Sequence, residues 1–370
     1  MTYLAFNNLW QQKFRLALSV TGVALALMLI ILLNGFLAGI YAQVTAYLDN
    51  SPADLIIAQD GVTNLLSATS LLPPGTADQV RGVPGVAQVS PIVSHFIIFN
   101  LHEEKVVAYM VGYEPGQGGG PWQMKDGRLP AGDDEVVLDW VMATNHGIRI
   151  GDALDILDET FTVVGLSDGT NSWMASFFFV EKRAAERLLL TPEATSFVLL
   201  TLEPDADRTA VANDLNRRLP NVEILPAATV RQNDLDLLVR VFAAPLRLMV
   251  TIAFAVGTAI LGMVIYTATV ERTREYGVLK ALGARNRHLY WLVAQQGLVT
   301  AVLGALIGIG LAWLAARGIM NWSPKFLIVL EPQAVLVTAG SGLLMGLFAA
   351  LLPARLVAGL DPAQVFRKER

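Results

Sequence analysis

Four apolar runs, at roughly 16–40, 248–270, 289–316 and 332–354, contain no Asp, Glu, Lys or Arg. Each is long enough to cross a bilayer, which takes about 20 residues of helix, so the pattern predicts four membrane spans. The first run stays uncharged from Leu16 to Leu48. That is far longer than the apolar core of a secretory signal peptide, so an uncleaved span is expected. At about 1.5 Å per residue it is also longer than the membrane needs. Its later part, with Gln43, Thr45 and Tyr47, is therefore expected to project beyond the bilayer as a stalk. Before the second span, Leu235, Leu238, Phe242 and Leu246 follow a 3–4 spacing. This predicts a second stalk helix over Thr229–Arg247, kinked by Pro245 where it meets the membrane.

Residues 49–240 contain no such run. Short apolar stretches separated by turn residues predict a mixed α+β domain inserted between the first and second spans. Strands are expected at Ala53–Ala58, Val86–Pro91, Glu135–Asp139, Ala153–Leu157, Phe161–Leu166, Phe177–Val180, Ser196–Glu203 and Asn221–Leu225, and a hairpin over His95–Leu101 and Lys105–Gly112. Helices are expected at Thr76–Val83, Glu181–Leu190 and Asp207–Leu219. Glu114–Pro121, with three consecutive glycines, reads as a flexible loop. The order suggests a split domain around a strand-rich insertion.

Composition agrees with a membrane protein carrying a large soluble part: 54% hydrophobic residues and a mean hydropathy of +0.49. Charge is unevenly spread. Residues 49–240 hold 13 Lys and Arg against 27 Asp and Glu, and the rest of the chain holds 14 against 5. Basic flanks place the amphipathic segment 1–15, the 271–288 loop and the 355–370 tail in the cytoplasm, with 49–240 and the 317–331 loop outside. A basic patch suited to nucleic acid is missing.

The segment from Glu271 to Gln296 begins as a short basic loop between spans two and three. Tyr276, Leu279 and Leu282 recur at i, i+3 and i+6, and Glu271–Arg274 and Arg272–Glu275 are spaced for pairing. Gly283 is a helix stop. A small amphipathic helix is predicted, with its apolar edge presented outside the bilayer. Three uses fit that pattern: docking a partner, lying on the lipid surface, or setting topology alone.

The run Glu271-Arg-Thr-Arg-Glu-Tyr-Gly-Val-Leu-Lys-Ala-Leu-Gly-Ala284 resembles the signature loop of FtsX-like, MacB-type ABC transporter permeases. In that family the loop is the coupling helix that receives a cytoplasmic ATPase. The resemblance implies a docking role for Glu271, Arg272, Arg274, Glu275, Tyr276, Gly277, Leu279, Lys280, Ala281, Leu282, Gly283 and Ala284. It also implies a multi-pass protein of a prokaryotic cell membrane, paired as a homodimer in contact with membrane lipid. A further partner would be a membrane-fusion or cell-wall protein. ATP and Mg would be bound by the ATPase and no cofactor by this chain. The implied function is mechanotransmission: ATP hydrolysis moves the outer domain to export or extract an amphiphilic substrate. The alternative is a non-transport regulator that activates an extracellular partner such as a cell-wall hydrolase.

Other chemistry finds little support. No GxxxxGK[ST] phosphate loop, GxSxG or HExxH occurs, and there is no cysteine. His95, His102, His146 and His288 lack metal-ligand spacing, and Asp133-Asp134-Glu135 lacks a calcium-loop pattern. These omissions count against a membrane-anchored enzyme. The spans carry amides (Asn34, Gln43, Gln295, Gln296) but no ionisable group near a centre, which argues against an ion-coupled transporter. Gly35 and Gly39, Gly304 and Gly308, and Gly342 and Gly346 are spaced for close helix packing.

Overall fold

The computed structural model describes residues 13–66, 68–101, 104–172 and 175–359. The expected interfacial segment up to residue 12, the tail from 360 onward, and His102 lie outside the described residues. Two compact units emerge: Gly39–Val241 with Pro324–Leu327, and the remaining helical segments.

The first unit is built on one ten-stranded sheet. In chain order its elements are the end of α1 (Lys13–Asp49), β1 (Leu55–Gln59), α2 (Thr76–Val80), β2 (Val86–Leu101), β3 (Glu104–Tyr113), β4 (Met124–Gly127), β5 (Glu135–Asp139), α3 (Trp140–Asn145), β6 (Ala153–Ile156), β7 (Glu159–Ser167), β8 (Ser176–Glu181), α4 (Lys182–Leu188), β9 (Phe197–Leu202), α5 (Arg208–Arg218), β10 (Val222–Pro226) and α6 (Ala227–Leu238). The strand order is β10-β1-β9-β2-β3-β8-β5-β7-β4, with β6 on β7. Among the described residues only β3–β8 and β5–β7 are parallel. The inserted strands β4 to β7 thus extend the same sheet.

β8 shows why its sequence is apolar throughout. Phe178 and Val180 pack on one face with Phe99, Val136 and Ala184, while Phe177 and Phe179 pack on the other with Tyr47, Tyr109 and Val111. A strand buried on both faces loses the polar alternation of a half-exposed one. β2 differs from the expected pair of strands because it runs unbroken through Pro91. There the strand is flanked by β9 alone, since β3 joins only at Ile92, and a proline is tolerated beside an open edge.

Helix α3 and strand β4 were not expected from the pattern. Asp139 begins α3 by accepting hydrogen bonds from the Val141 and Met142 backbone N–H groups at 3.0 and 3.1 Å, a standard N-cap. The Thr170 hydroxyl donates to its other oxygen at 2.8 Å. Asp139 is fully buried, and burial pushes its carboxyl up to about 6 despite those donors. A raised carboxylate pKa favours the folded state at low pH, and that contribution is lost as pH rises from the unfolded value through about 6. Relative to Asp139→Asn, the wild type should lose about 2–3 kcal/mol of stability between pH 4 and pH 7. Parallel thermal melts check this; curves that stay a constant distance apart would contradict it.

The second unit is helical: the membrane part of α1, then α7 (Ala244–Glu271), α8 (Thr273–Ala281), α9 (Asn286–Trp322) and α10 (Pro332–Ala358). Among the described residues four helices are long and apolar enough to cross a membrane, as expected: Leu16–Asp49, Ala227–Glu271, Asn286–Trp322 and Pro332–Ala358. The second of these runs through a π turn at Val239–Ala243, which places Pro245 in the first turn of α7. The helix continues into this turn from Ala227, so the N–H that Pro245 lacks is missing from the interior of the helix, beside the π turn.

The core of this unit gathers Val23, Leu27, Leu261, Ile265, Val293, Met345 and Ala350. Between helices, glycines set the distance. A Cβ on Gly308 would lie 2.8 Å from the Ala24 carbonyl oxygen, and one on Gly304 2.6 Å from Val23. One on Gly342 would lie 2.8 Å from Leu27, and one on Gly346 2.8 Å from the Gly297 carbonyl oxygen. Gly35 and Gly39 depart from the expected helix packing, since their neighbours lie in the non-helical segment before α10: a Cβ on Gly35 would lie 3.0 Å from Leu330, and the Gly35 carbonyl accepts a hydrogen bond from the Val329 N–H. In the other unit, Gly39 lies against the Leu327 carbonyl with no room for a side chain. Gly297, which faces Gly346, has no i+4 glycine partner and was not among the expected packing positions.

Candidate functional site

The loop between the second and third spans folds as α8, a helix of 9 residues. Arg272, in a non-helical conformation, separates it from α7. The sequence ends the helix as well as it begins it. Gly283 takes φ of 89°, a left-handed conformation that other residues adopt only with strain. Its N–H bonds the Lys280 carbonyl, and the Ala284 N–H reaches back to Leu279. This is a Schellman cap, closed by the apolar contact side of Leu279 and Ala284.

The two sides of α8 do different things. Tyr276 and Gly277 are buried, and Tyr276 belongs to the core with Leu289, Leu292, Val293, Ala354 and Val357. Burial raises its phenol above the ordinary value, and the hydroxyl hydrogen-bonds with the Gln296 side chain. Leu279 and Ala284 pack partly against the same core. Lys280 donates to the Ala358 carbonyl at 2.6 Å, where the C-terminal end of the α10 dipole favours a cation. Arg272 sits 3.7 Å from Glu275.

Outward, the helix shows Val278 at 39% exposure and Leu282 at 80%. Glu271, Arg274, Glu275, Ala281 and Gly283 are exposed around them. The apolar edge expected from Tyr276, Leu279 and Leu282 is therefore divided: the first two anchor the helix and only Leu282 projects. Val278, one turn before Leu282, completes the outward pair. An i, i+4 search from Leu282 would have found it.

The other candidates stay apart. His95 lies in β2, His288 in the first turn of α9, and His146 donates from Nδ1 to the Met142 carbonyl near Glu104. Asp133 and Glu135 are occupied by Arg187 and Arg128. Among the described residues no group of three or more His, Cys, Asp or Glu is placed to hold a metal.

These features define a multi-pass membrane protein with a mixed α/β domain between its first and second spans and a short amphipathic helix between its second and third. The profile described as MacB-like periplasmic core domain matches residues 16–218, and that described as FtsX-like permease C-terminal matches 247–362. The chain belongs to the MacB/FtsX-type family of ABC transporter permeases. An uncharacterized ABC transporter permease of Mycobacterium tuberculosis (strain ATCC 25618 / H37Rv) is 24% identical over 368 residues, covering 99% of both chains. The macrolide export ATP-binding/permease protein MacB of Photorhabdus laumondii subsp. laumondii is 28% identical over 183 residues, 45% of this chain and 28% of its own. The periplasmic region of MacB from Actinobacillus actinomycetemcomitans covers 51% of this chain and 96% of its own, at 13% identity and a TM-score of 0.39. The family assignment rests on the two profiles.

Proposed function

We propose that this chain is the membrane subunit of an ABC system in which a separate cytoplasmic ATPase docks on α8. The observation that carries the reading is the division of that helix. One side is fixed in the core of the span bundle by Tyr276 and Lys280, and the other offers Val278 and Leu282 within a ring of charge. A helix held in this way would pass a push on its outer side to the spans it is packed against. In this reading the termini and the 271–288 loop are cytoplasmic, and 49–240 and 317–331 are outside. ATP and Mg act on the partner, and two copies of this chain pair. The α1 and α6–α7 helices carry the displacement to the sheet domain, which extrudes or extracts an amphiphilic substrate.

Orientation is testable because the chain has no cysteine to give background. Leu190→Cys and Leu282→Cys sit at positions 89% and 80% exposed. In intact spheroplasts a membrane-impermeant maleimide should label the first and spare the second until the membrane is opened. The reverse pattern would overturn the orientation, and with it cytoplasmic docking.

A further inference from the structure

The sheet unit contains a cavity of about 300 Å³ whose lining is almost entirely apolar. Phe96, Tyr109 and Phe177 form one wall, Leu66 and Leu237 another, and Asp234 is the charged group among them. The aromatic wall is preformed. Tyr109 meets Phe96 and Phe177 edge-on at 4.8 and 5.2 Å, and its hydroxyl donates to the Leu65 carbonyl at 2.9 Å. Asp234 is 4% exposed and accepts from the Leu65 and Leu66 backbone N–H groups at 3.2 and 3.3 Å. Phenol and carboxylate thus brace the same turn and hold the cavity open.

The approach is apolar too. Phe96 and Leu237 are 41% and 45% exposed, and Ile98 and its cross-strand partner Val107 continue the patch at 60% and 42%. Beyond Ile97 the hairpin has, among the described residues, no hydrogen-bonded strand on either side; Phe99 and Leu101 turn into the core on one face, and Ile98 and Val107 stay exposed on the other. Pockets of about this size, apolar with a few converging polar groups, are the usual form of a small-molecule site.

We propose that this cavity binds a small amphiphile: an alkyl or aryl body with an amino head directed at Asp234. A carboxylate can only accept hydrogen bonds, so it selects a donor. An ammonium group supplies both donor and opposite charge, and a buried carboxylate rejects an anionic head. The proposal deepens the functional reading by naming the substrate class. Its binding step does not depend on an ATPase and is tested without one.

The full chain, in phosphatidylcholine nanodiscs, is equilibrated with a decylamine carrying a terminal diazirine, irradiated and digested for mass spectrometry. Adducts should saturate, fall in peptides containing Phe96, Phe177 or Leu237, and be competed by decylamine but not by decanoate. Leu237→Trp, a substitution at the exposed mouth, should lower labelling about tenfold. Asp234→Asn should remove the preference for decylamine over decanol. Adducts confined to the spans, labelling unchanged by Leu237→Trp, or equal competition by decanoate would each overturn the site. None of these results bears on whether an ATPase docks at α8.

Discussion

Leu282→Lys should strip the ATPase from the purified protein while leaving the protein folded. Leu282 is 80% exposed and contributes nothing to the core. A lysine at the end of α8 is moreover compatible with the helix dipole. What it removes is an apolar contact, worth about 1.5–3 kcal/mol if the side chain is buried by a partner. ATPase retention should therefore fall at least about tenfold, with the melting temperature of the permease within about 2 °C of wild type. Val278→Lys should act in the same direction. Tyr276→Ala should do the opposite. It removes a ring that is 3% exposed in the span core, costs about 3–5 kcal/mol, and lowers stability before it affects docking. If Leu282→Lys and Tyr276→Ala produce the same loss of stability, α8 is a structural helix on both sides and the docking reading fails.

Gly346→Leu should disrupt the packing of the spans severely. Gly346 and Gly297 approach each other backbone to backbone across α9 and α10, and a Cβ on either would meet the other's carbonyl. The obstacle is main chain, which cannot rotate aside as a side chain would. Overpacking usually costs about 1–3 kcal/mol when side chains can yield, and here the helices must separate. The yield of monodisperse protein should collapse, whereas Gly340→Leu, where nothing stands within 4 Å, should be tolerated. Equal yields would mean that the two helices do not pack through this crossing.

What could be read from the sequence followed the strength of the physical constraint. The spans were legible because uncharged runs of this length have few other uses. Of the glycine pairs at i and i+4, Gly304/Gly308 and Gly342/Gly346 meet other helices whereas Gly35/Gly39 meet a non-helical segment, and Gly297 stands alone and is recognisable only from its neighbour Gly346. In the sheet domain, alternation located most strands, but β2 was cut at Pro91 because proline normally ends a strand. Helix α3 was missed because six residues are too few for a periodic signal, although Asp139 is a good N-cap. On α8 the sequence gives the same apolar stripe whichever way the helix is rolled. Tyr276, Leu279 and Leu282 span about two turns, and only tertiary packing decided which of them faces the core. The cavity beside Asp234 was out of reach, since its walls come from residues 66, 96, 109, 177, 234 and 237.

The central claim, that a cytoplasmic ATPase contacts the outward side of α8, is tested most directly by a cross-link. Leu282→Cys in the otherwise cysteine-free chain, expressed in its own host, is labelled in membranes with benzophenone-4-maleimide, irradiated so that the benzophenone inserts into any neighbouring C–H bond, and purified under denaturing conditions. The account predicts one dominant adduct to a protein with a P-loop ATPase sequence, absent when the cysteine is placed at Leu190. A Leu282 cross-link that never yields an ATPase, in membranes where the permease itself is abundant, would contradict it.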